Sequence, residues 1–91
     1  MPALKELVEK ASMQDILDEV ETVFGKEPVL GRNVKIFLSQ RYTCEKLKDI
    51  GTHFGIGESG VSQASRRVND KIRSDKKLRR KIRKIEKKLN V

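Results

Sequence analysis

Two short amphipathic segments joined by the tripeptide Gly55-Ile56-Gly57 constrain the fold of this chain more than any other feature of its sequence. The tripeptide suits a tight turn, because glycine adopts positive φ without strain and the isoleucine can plug the core. The segment before it predicts a helix from about Cys44 to Phe54, with Thr43 as the N-cap. Gly51 costs this helix about 1 kcal/mol relative to alanine, which indicates a close approach of the two helices. Three apolar residues recur at spacings of three and four and share one face: Leu47, Ile50 and Phe54.

The segment after the turn predicts a second, longer helix, which begins near Ser59, another candidate N-cap, and ends near Arg73. Its apolar face has the same spacing: Val61, Ala64, Val68 and Ile72. Its opposite face is polar and basic, and none of its side chains is large and apolar: Ser62, Gln63, Ser65, Arg66, Arg67 and Lys71. Two short helices at an angle, with the second polar and basic outward, indicate a helix-turn-helix that enters a major groove.

The polar face of the second helix divides the expected contacts between bases and phosphates. Ser62 and Gln63 suit base edges, and glutamine matches adenine through two hydrogen bonds. Arg66 and Arg67 lie one turn further along, where we expect them to meet phosphates. A solvated helix face is the alternative interpretation of Glu58 to Arg67, but the turn, the capped basic helix and the charge of the chain together favour contact with DNA.

The charge of the chain indicates a polyanionic partner and shows which part of the sequence would meet it. The 91 residues carry a net charge of +8, with a pI near 9.9, which is typical of nucleic-acid binding. Residues 1–30 hold three lysines and seven acidic residues, whereas residues 31–91 hold eighteen basic and six acidic residues. We therefore expect the DNA-binding surface in the helix-turn-helix and the segment after it, not in the acidic start.

The acidic residues 1–30 predict two helices. Residues 3–11 place four apolar side chains on one face: Leu4, Leu7, Val8 and Ala11. Ser12 is the candidate N-cap of the next helix, which ends at Gly25 and turns four residues inward: Ile16, Leu17, Val20 and Phe24. Lys26 to Pro28 predicts a loop. Three carboxylates are most simply a solvated helix face: Asp18, Glu19 and Glu21.

Residues 32–42 predict a third helix, whose apolar face holds four residues: Val34, Phe37, Leu38 and Tyr42. A β-strand over residues 34–38 is the rival interpretation, but no second strand is evident to pair with it. The whole sequence therefore predicts one all-α domain over residues 1–91. It comprises acidic helices, a helix-turn-helix core and a basic last helix: residues 1–30, 32–73 and 74–91.

The last stretch, residues 74–90, predicts a strongly basic amphipathic helix. Its apolar seam has spacings of four, three and four: Leu78, Ile82, Ile85 and Leu89. Nine of its other residues are Lys or Arg, which either follow the DNA backbone or solubilise the helix. The seam is too short for a coiled coil. We expect it to pack on the domain or on another chain, so a homodimer or a docked domain of a parent chain stays open.

The sequence argues against an enzyme and a metal site. One cysteine, Cys44, allows no internal disulfide and fits a reducing cytoplasm. With His53 as the only histidine, the chain lacks the ligands of a usual zinc site. Tyr42, the one candidate tyrosine nucleophile, has no metal cluster in the sequence beside it, so no catalytic constellation can be assembled. No phosphate-binding P-loop motif occurs, and we expect no cofactor.

The sequence also argues against a membrane protein. No apolar run approaches the ~20 residues that a membrane helix needs. The start of the chain has no hydrophobic region of a signal peptide. The basic last helix lacks the Trp or Phe anchors that favour a position on a membrane surface.

The stretch from Arg32 to Ile72 resembles the C-terminal DNA-binding domain of the bacterial replication initiator DnaA. The shared pattern is Tyr42-Thr43, then Leu47-x-x-Ile50-Gly51-x-x-Phe54-Gly55, then Val61, then Arg66-Arg67-Val68. The likeness extends more loosely back to Met13. The text from Ser59 to Ser62 is most similar to the DnaA-like domain of some insertion-sequence transposases.

The resemblance implies a Trp-repressor-like helix-turn-helix that binds double-stranded DNA in the bacterial cytoplasm, at the nucleoid. It implies a role in a replication initiator or a transposase. By position, Ser59, Gly60 and the adjacent Glu58 match the base-reading start of the family's recognition helix. Three further positions match family contacts at a helix start and at the DNA backbone: Leu47, Lys48 and Arg32.

Two departures from the family pattern argue against the initiator's own target sequence. Where the initiator has Asp-His-Thr-Thr, this chain has Gly57-Glu58-Ser59-Gly60, and its turn is shorter. The family's arginine-rich loop, which enters the minor groove, is reduced here to Lys26 to Gly31. The target DNA, the process and any parent protein stay open. So does the alternative of a protein-interaction module that uses the last helix and binds DNA non-specifically.

Overall fold

The computed structural model describes residues 11–43 and 45–90, and within them it contains five α-helices and no β-strand. The helices are α1 (Met13–Phe24), α2 (Pro28–Tyr42), α3 (Leu47–Phe54), α4 (Glu58–Ser74) and α5 (Lys76–Leu89). The all-α prediction is therefore confirmed for the described part of the chain, and the rival strand over residues 34–38 is wrong. The helix predicted over residues 3–11 lies outside the described residues except for Ala11, and Cys44 also lies outside them.

Helix α1 begins where the sequence predicts, because Ser12 caps it. The Ser12 hydroxyl accepts a hydrogen bond from the Asp15 amide at 3.1 Å, which satisfies one N–H group of the first turn. The inward face is also as predicted, with three buried residues and then a half-buried one: Ile16, Val20 and Phe24, and Leu17. This face packs against α2 and α5.

Helix α2 begins earlier than predicted, at Pro28 rather than Arg32. Proline suits the first turn of a helix, since its fixed φ is helical and the missing N–H needs no partner there. The predicted loop over residues 26–28 is therefore shorter, and most of the stretch that corresponds to the family's minor-groove loop is helical. Gly31 lets this start lie against α1, because a Cβ there would be only 3.2 Å from the Phe24 Cβ.

Helix α2 is the central element, because its two sides contribute to two hydrophobic clusters. Val34 and Leu38 join the larger cluster, which is shared with α1, α5 and Val68 of α4. The smaller cluster ties α2 to α3 and α4 through four buried residues: Ile36, Ile50, Val61 and Ala64. The spacing rule assigns a helix one apolar face, so it does not predict the burial of Ile36 on the second side.

The two predicted N-caps of the helix-turn-helix are wrong, because the chain starts both helices with other residues. Thr43 ends α2 instead, where its amide and its hydroxyl both donate hydrogen bonds to the Ser39 carbonyl. Helix α3 therefore begins later than predicted, at Leu47. Helix α4 begins directly after the extended Gly57, so Ser59 lies inside its first turn.

The turn between α3 and α4 has the predicted form and sets how closely the two helices approach. Gly55 ends α3 with a φ of +69°, a left-handed conformation that favours glycine. Ile56 is half-buried against the smaller cluster, and its amide donates a hydrogen bond of 2.8 Å to the Gly51 carbonyl. A Cβ on Gly51 would lie 2.4 Å from the Ile56 carbonyl oxygen, so this approach requires glycine.

Helix α5 packs its apolar seam on the domain itself. Asp75 precedes it as the N-cap, since its carboxylate accepts a hydrogen bond of 3.0 Å from the Leu78 amide. The seam joins the larger cluster, with three buried residues and then a half-buried one: Leu78, Ile82 and Ile85, and Leu89. The sequence left open whether this seam packs on its own domain or on another chain. In the structure it packs on its own domain.

Two ion pairs correct the prediction that the acidic side chains of α1 are simply solvated. The Nζ of Lys35 on α2 lies 2.8 Å from a carboxylate oxygen of Glu21, and the Nζ of Lys88 on α5 lies 3.9 Å from one of Glu19. Asp18 is exposed as predicted. Ion pairs at a protein surface contribute about 0–1 kcal/mol each, so these two pairs add little to the stability of the domain.

Tyr42 joins the end of α2 to α5. Its hydroxyl donates a hydrogen bond to the Glu86 carboxylate, and its ring packs against the larger cluster. Burial raises the pKa of the Tyr42 phenol above the usual 10.0, and the Glu86 carboxylate raises it further, against an opposing effect of Arg41. Because the folded pKa is the higher one, this contribution to stability is present below pH 10.0 and is lost as the pH rises through the folded pKa.

Replacing Gly51 with alanine is expected to lower the free energy of unfolding by about 1–3 kcal/mol, because the new Cβ meets the Ile56 carbonyl. Without that clash the sign would reverse, since alanine favours a helix by about 1 kcal/mol over glycine. Gly57→Ser is the control, because a Cβ there meets nothing within 4 Å and serine is a good N-cap. Urea unfolding followed by circular dichroism measures both variants. An undiminished stability of Gly51→Ala would contradict the close approach.

The ionisation of Tyr42 can be followed alone, because it is the only tyrosine and the chain has no tryptophan. We expect the ultraviolet absorbance of tyrosinate to titrate with a midpoint above pH 10.0 in the folded chain and close to it in urea. In Glu86→Gln the midpoint should move toward 10.0 without reaching it, because burial is the largest cause of the shift. Identical midpoints with and without urea would rule out a buried phenol.

Candidate nucleic-acid interface

The outward side of α4 carries residues that the sequence predicts for DNA contact. Its first half presents exposed polar side chains on one side of the helix, which we call the outward row: Ser59, Ser62, Gln63 and Arg66. The row points away from the domain because the opposite face is buried in the two clusters: Val61, Ala64 and Val68. With Leu47 and Glu58, the outward row lines a shallow groove of about 420 Å³ between the start of α3 and α4. The structure thus brings six of the predicted contact residues to one groove.

Two other predicted residues lie near the ends of α3. Lys48 is exposed next to Leu47, in the first turn of α3. Arg32 reaches across from α2, and its guanidinium nitrogen lies 3.5 Å from the Phe54 carbonyl oxygen at the end of α3. The partial negative charge of a helix C-terminus attracts a cation. Arg32 is therefore held beside the turn that leads into α4, and it is exposed.

Arg67 and Lys71 lie on a different side of α4 from the outward row. They line a second hollow, of about 380 Å³, against Val29 and Leu30 at the start of α2. Val29 is 75% exposed, the one large apolar side chain so exposed among the described residues. The sequence analysis misses Val29 and Leu30 because it begins the helix only at Arg32. The signal that could have found them is Pro28, which is typical of the first position of a helix.

Two predicted contact residues have roles inside the domain. Ser65 is half-buried, and its hydroxyl donates a hydrogen bond to the side-chain oxygen of Gln40 on α2. Gly60 has no side chain to present, and a Cβ there would lie 3.2 Å from the Ile56 Cβ. In this structure, Ser65 ties α4 to α2 and Gly60 lets the start of α4 pack on the turn.

The cations of α4 are not neutralised by the described residues. Every ion pair found among those residues uses a lysine of α2 or α5. No described carboxylate therefore lies within 4.0 Å of the charged nitrogens of Arg66, Arg67 or Lys71. Glu58 and Asp70 are exposed carboxylates near the two ends of the outward side of α4. The part of this side that suits a phosphate lies between them, because like charges repel.

The nine basic residues of α5 fall into three groups. Lys81 and Lys88 lie on the side of α1 and pair with carboxylates of the acidic N-terminal part. Arg79 and Arg83 line a groove against α2 and α4. The other five are exposed: Lys76, Lys77, Arg80, Lys84 and Lys87. The basic residues of α5 therefore do not share one environment, so a solubilising role and a DNA-contacting role apply to different residues of the helix.

The described part of the chain shows neither a metal-ligand cluster nor a membrane-spanning helix. No group of three or more His, Cys, Asp or Glu side chains there is placed to hold a metal ion. No helix in that part is both long and apolar enough to cross a membrane. His53 is exposed, and its ring lies edge-on to Phe54 with the ring centroids 5.1 Å apart.

No protein-family model matches this chain, and comparisons with curated proteins and with solved structures found no significant match. The geometry and charge of α4 and its neighbours are therefore the basis for assigning a function.

Proposed function

We propose that this chain binds double-stranded DNA in a sequence-specific manner, with α3 and α4 as a helix-turn-helix and α4 in the major groove. The observation that carries the proposal is the outward row, whose polar side chains are exposed while the opposite face of α4 is buried. A recognition helix needs both properties, since it must stay anchored while its side chains reach base edges. The excess of eighteen basic over six acidic residues in residues 31–91 supports a polyanionic ligand.

The role of each side chain follows from its place along the helix-turn-helix. Ser62 and Gln63 lie in the middle of the outward row, where they suit base edges. Arg66, one turn further on, and Arg67, on the flank, suit phosphates of the DNA backbone. Lys48, at the start of α3, supplies another backbone contact. Base contacts select the sequence, whereas phosphate contacts position the duplex.

We further propose that the domain is the DNA-binding part of a replication-initiator-related or transposase-related bacterial protein, acting in the cytoplasm at the nucleoid. The support is the DnaA-like pattern around the turn, in which two glycines have separate physical roles. Gly51 permits the close approach of the turn, and Gly55 supplies the positive φ. The same requirements apply in replication and in transposition, so the pattern supports both processes equally.

A protein-interaction module built on the seam of α5 is the other function that the sequence suggests. No observation favours it, because the seam packs against α1 and α4 within the chain. A partner that used the seam would first have to remove three buried side chains from the larger cluster: Leu78, Ile82 and Ile85. Self-association of the DNA-free chain, measured by sedimentation, would favour this alternative function.

Selection of bound duplexes from a random library tests the central proposal. We expect an enriched motif that binds at least ~10³-fold more tightly than a scrambled duplex at physiological salt. Affinity for the motif should fall about 10³–10⁵-fold between 50 and 200 mM salt if six to ten phosphates are contacted. Sequence-blind binding that disappears with salt would contradict specific recognition.

Two substitutions separate base reading from backbone contact. Gln63→Ala should relax the base preference at one position, at a cost of about 1–3 kcal/mol on the selected motif. Lys48→Ala should weaken binding to every duplex about equally and reduce the salt slope by about 1. Gln14→Ala, an exposed glutamine on the acidic α1, is the control and should change neither property. Losses that are equal on every duplex for both test variants would exclude this division of roles.

A further inference from the structure

A groove of about 250 Å³ lies between α2, α4 and α5, apart from the groove and the hollow described above. Its apolar floor is formed by the buried Ile82 and two half-buried residues, Phe37 and Ile72. Three exposed arginines stand around this floor, and we call the site the arginine groove: Arg41, Arg79 and Arg83. The arginines come from two helices that the sequence treats separately, so no local pattern predicts the groove.

Contacts within the chain hold two of these arginines in place. The Arg79 guanidinium donates a hydrogen bond of 3.1 Å to the Ile72 carbonyl near the end of α4. The Arg41 guanidinium lies over the Tyr42 ring, with its central carbon 5.7 Å from the ring centroid. Cations that are already positioned lose less conformational freedom when they bind an anion.

The charge of the arginine groove is not cancelled by the described residues. No carboxylate among them lies within 4.0 Å of a charged nitrogen of Arg41, Arg79 or Arg83. Glu86 is the one acidic residue that lines the groove, and its carboxylate accepts the Tyr42 hydroxyl. Three arginines against one carboxylate leave a net positive site.

Arg66 connects the arginine groove to the outward row of α4. It lines the groove at the start of α3 and also a neighbouring hollow of about 450 Å³ between α2 and α4. That hollow shares three residues with the arginine groove: Phe37, Arg41 and Asn69. A continuous path therefore runs from the proposed base-reading residues, past Arg66, to Arg83 on α5.

We infer that the phosphate backbone of DNA flanking the recognition site follows this path and binds in the arginine groove. The inference rests on the proposed function and names a second contact of the same duplex. Arginine suits it because the planar guanidinium can donate two parallel hydrogen bonds to phosphate oxygens. An acidic peptide would also meet three arginines, but the continuity with Arg66 favours the strand that α4 already contacts.

A paired set of variants tests whether the groove, rather than the general charge of α5, binds the flanking DNA. The groove variant carries Arg79→Gln and Arg83→Gln. The control carries Arg80→Gln and Lys84→Gln. It also removes two positive charges four residues apart, from exposed positions of the same helix. Arg41→Gln approaches the groove from α2 and is independent of the contact between Arg79 and α4. Circular dichroism verifies that each variant is folded.

Affinity is measured on the selected duplex and on the same duplex extended by about one helical turn at each end. The chain without substitutions should bind the extended duplex more tightly than the selected duplex. The groove variant should lose at least about tenfold on the extended duplex, with a salt slope reduced by about 2 and an unchanged base preference. Arg41→Gln should show a smaller loss of the same kind, and the control should lose much less than the groove variant.

Other outcomes would overturn the inference in distinguishable ways. Equal losses in the groove variant and the control would mean that α5 acts through its general charge alone. An unchanged chain that binds the selected duplex but gains nothing from extension would remove the flanking contact and leave the proposed function intact. Binding of polyglutamate that depends on the groove, with no loss on DNA, would assign the groove to an acidic protein. A chain that selects no duplex would overturn the proposed function and, with it, this inference.

Discussion

The backbone contact between Gly51 and Ile56 is the interaction on which the geometry of this domain depends. The absence of a side chain on Gly51 lets the Ile56 carbonyl approach α3 directly, and the positive φ of Gly55 turns the chain toward that contact. Ile56 then packs between the smaller cluster and Gly60 at the start of α4. The direction of α4, and hence of the α4 side chains proposed to reach DNA, is set by close backbone approach rather than by interactions among those side chains.

Helix α2 holds this unit to the rest of the domain. Ile36 packs on α3 and α4, whereas Val34 and Leu38 join the cluster shared with α1 and α5. Helix α4 enters both clusters, with Val61 in the smaller one and Val68 in the larger one. Anchoring at two points along its length leaves α4 little freedom to tilt, because packed interiors resist small displacements. A rigid helix keeps its outward row in a fixed arrangement, which supports the proposal that it reads a sequence.

The ion pairs found among the described residues lie on the side of the domain near α1. The acidic N-terminal part pairs with Lys35, Lys81 and Lys88, so the side of the domain near α1 is partly neutralised. No such pair forms among the described residues for the arginines of α4 or of the arginine groove. This asymmetry supports a DNA ligand that touches α4 and the adjoining side of α5, since a uniformly basic surface would give no preferred orientation.

The sequence by itself determined the helices, their main apolar faces and the glycine turn, because each depends on residues close together in the chain. The spacing of Leu78, Ile82 and Ile85 and the cap at Ser12 are of this kind, and so is the polar outward row. Only the tertiary structure decided that Ile36 is buried, that the seam of α5 packs on its own domain and that acidic residues of α1 pair with lysines. It alone brought Arg41 together with Arg79 and Arg83. These outcomes depend on which distant segments meet, and local spacing carries no information about that choice.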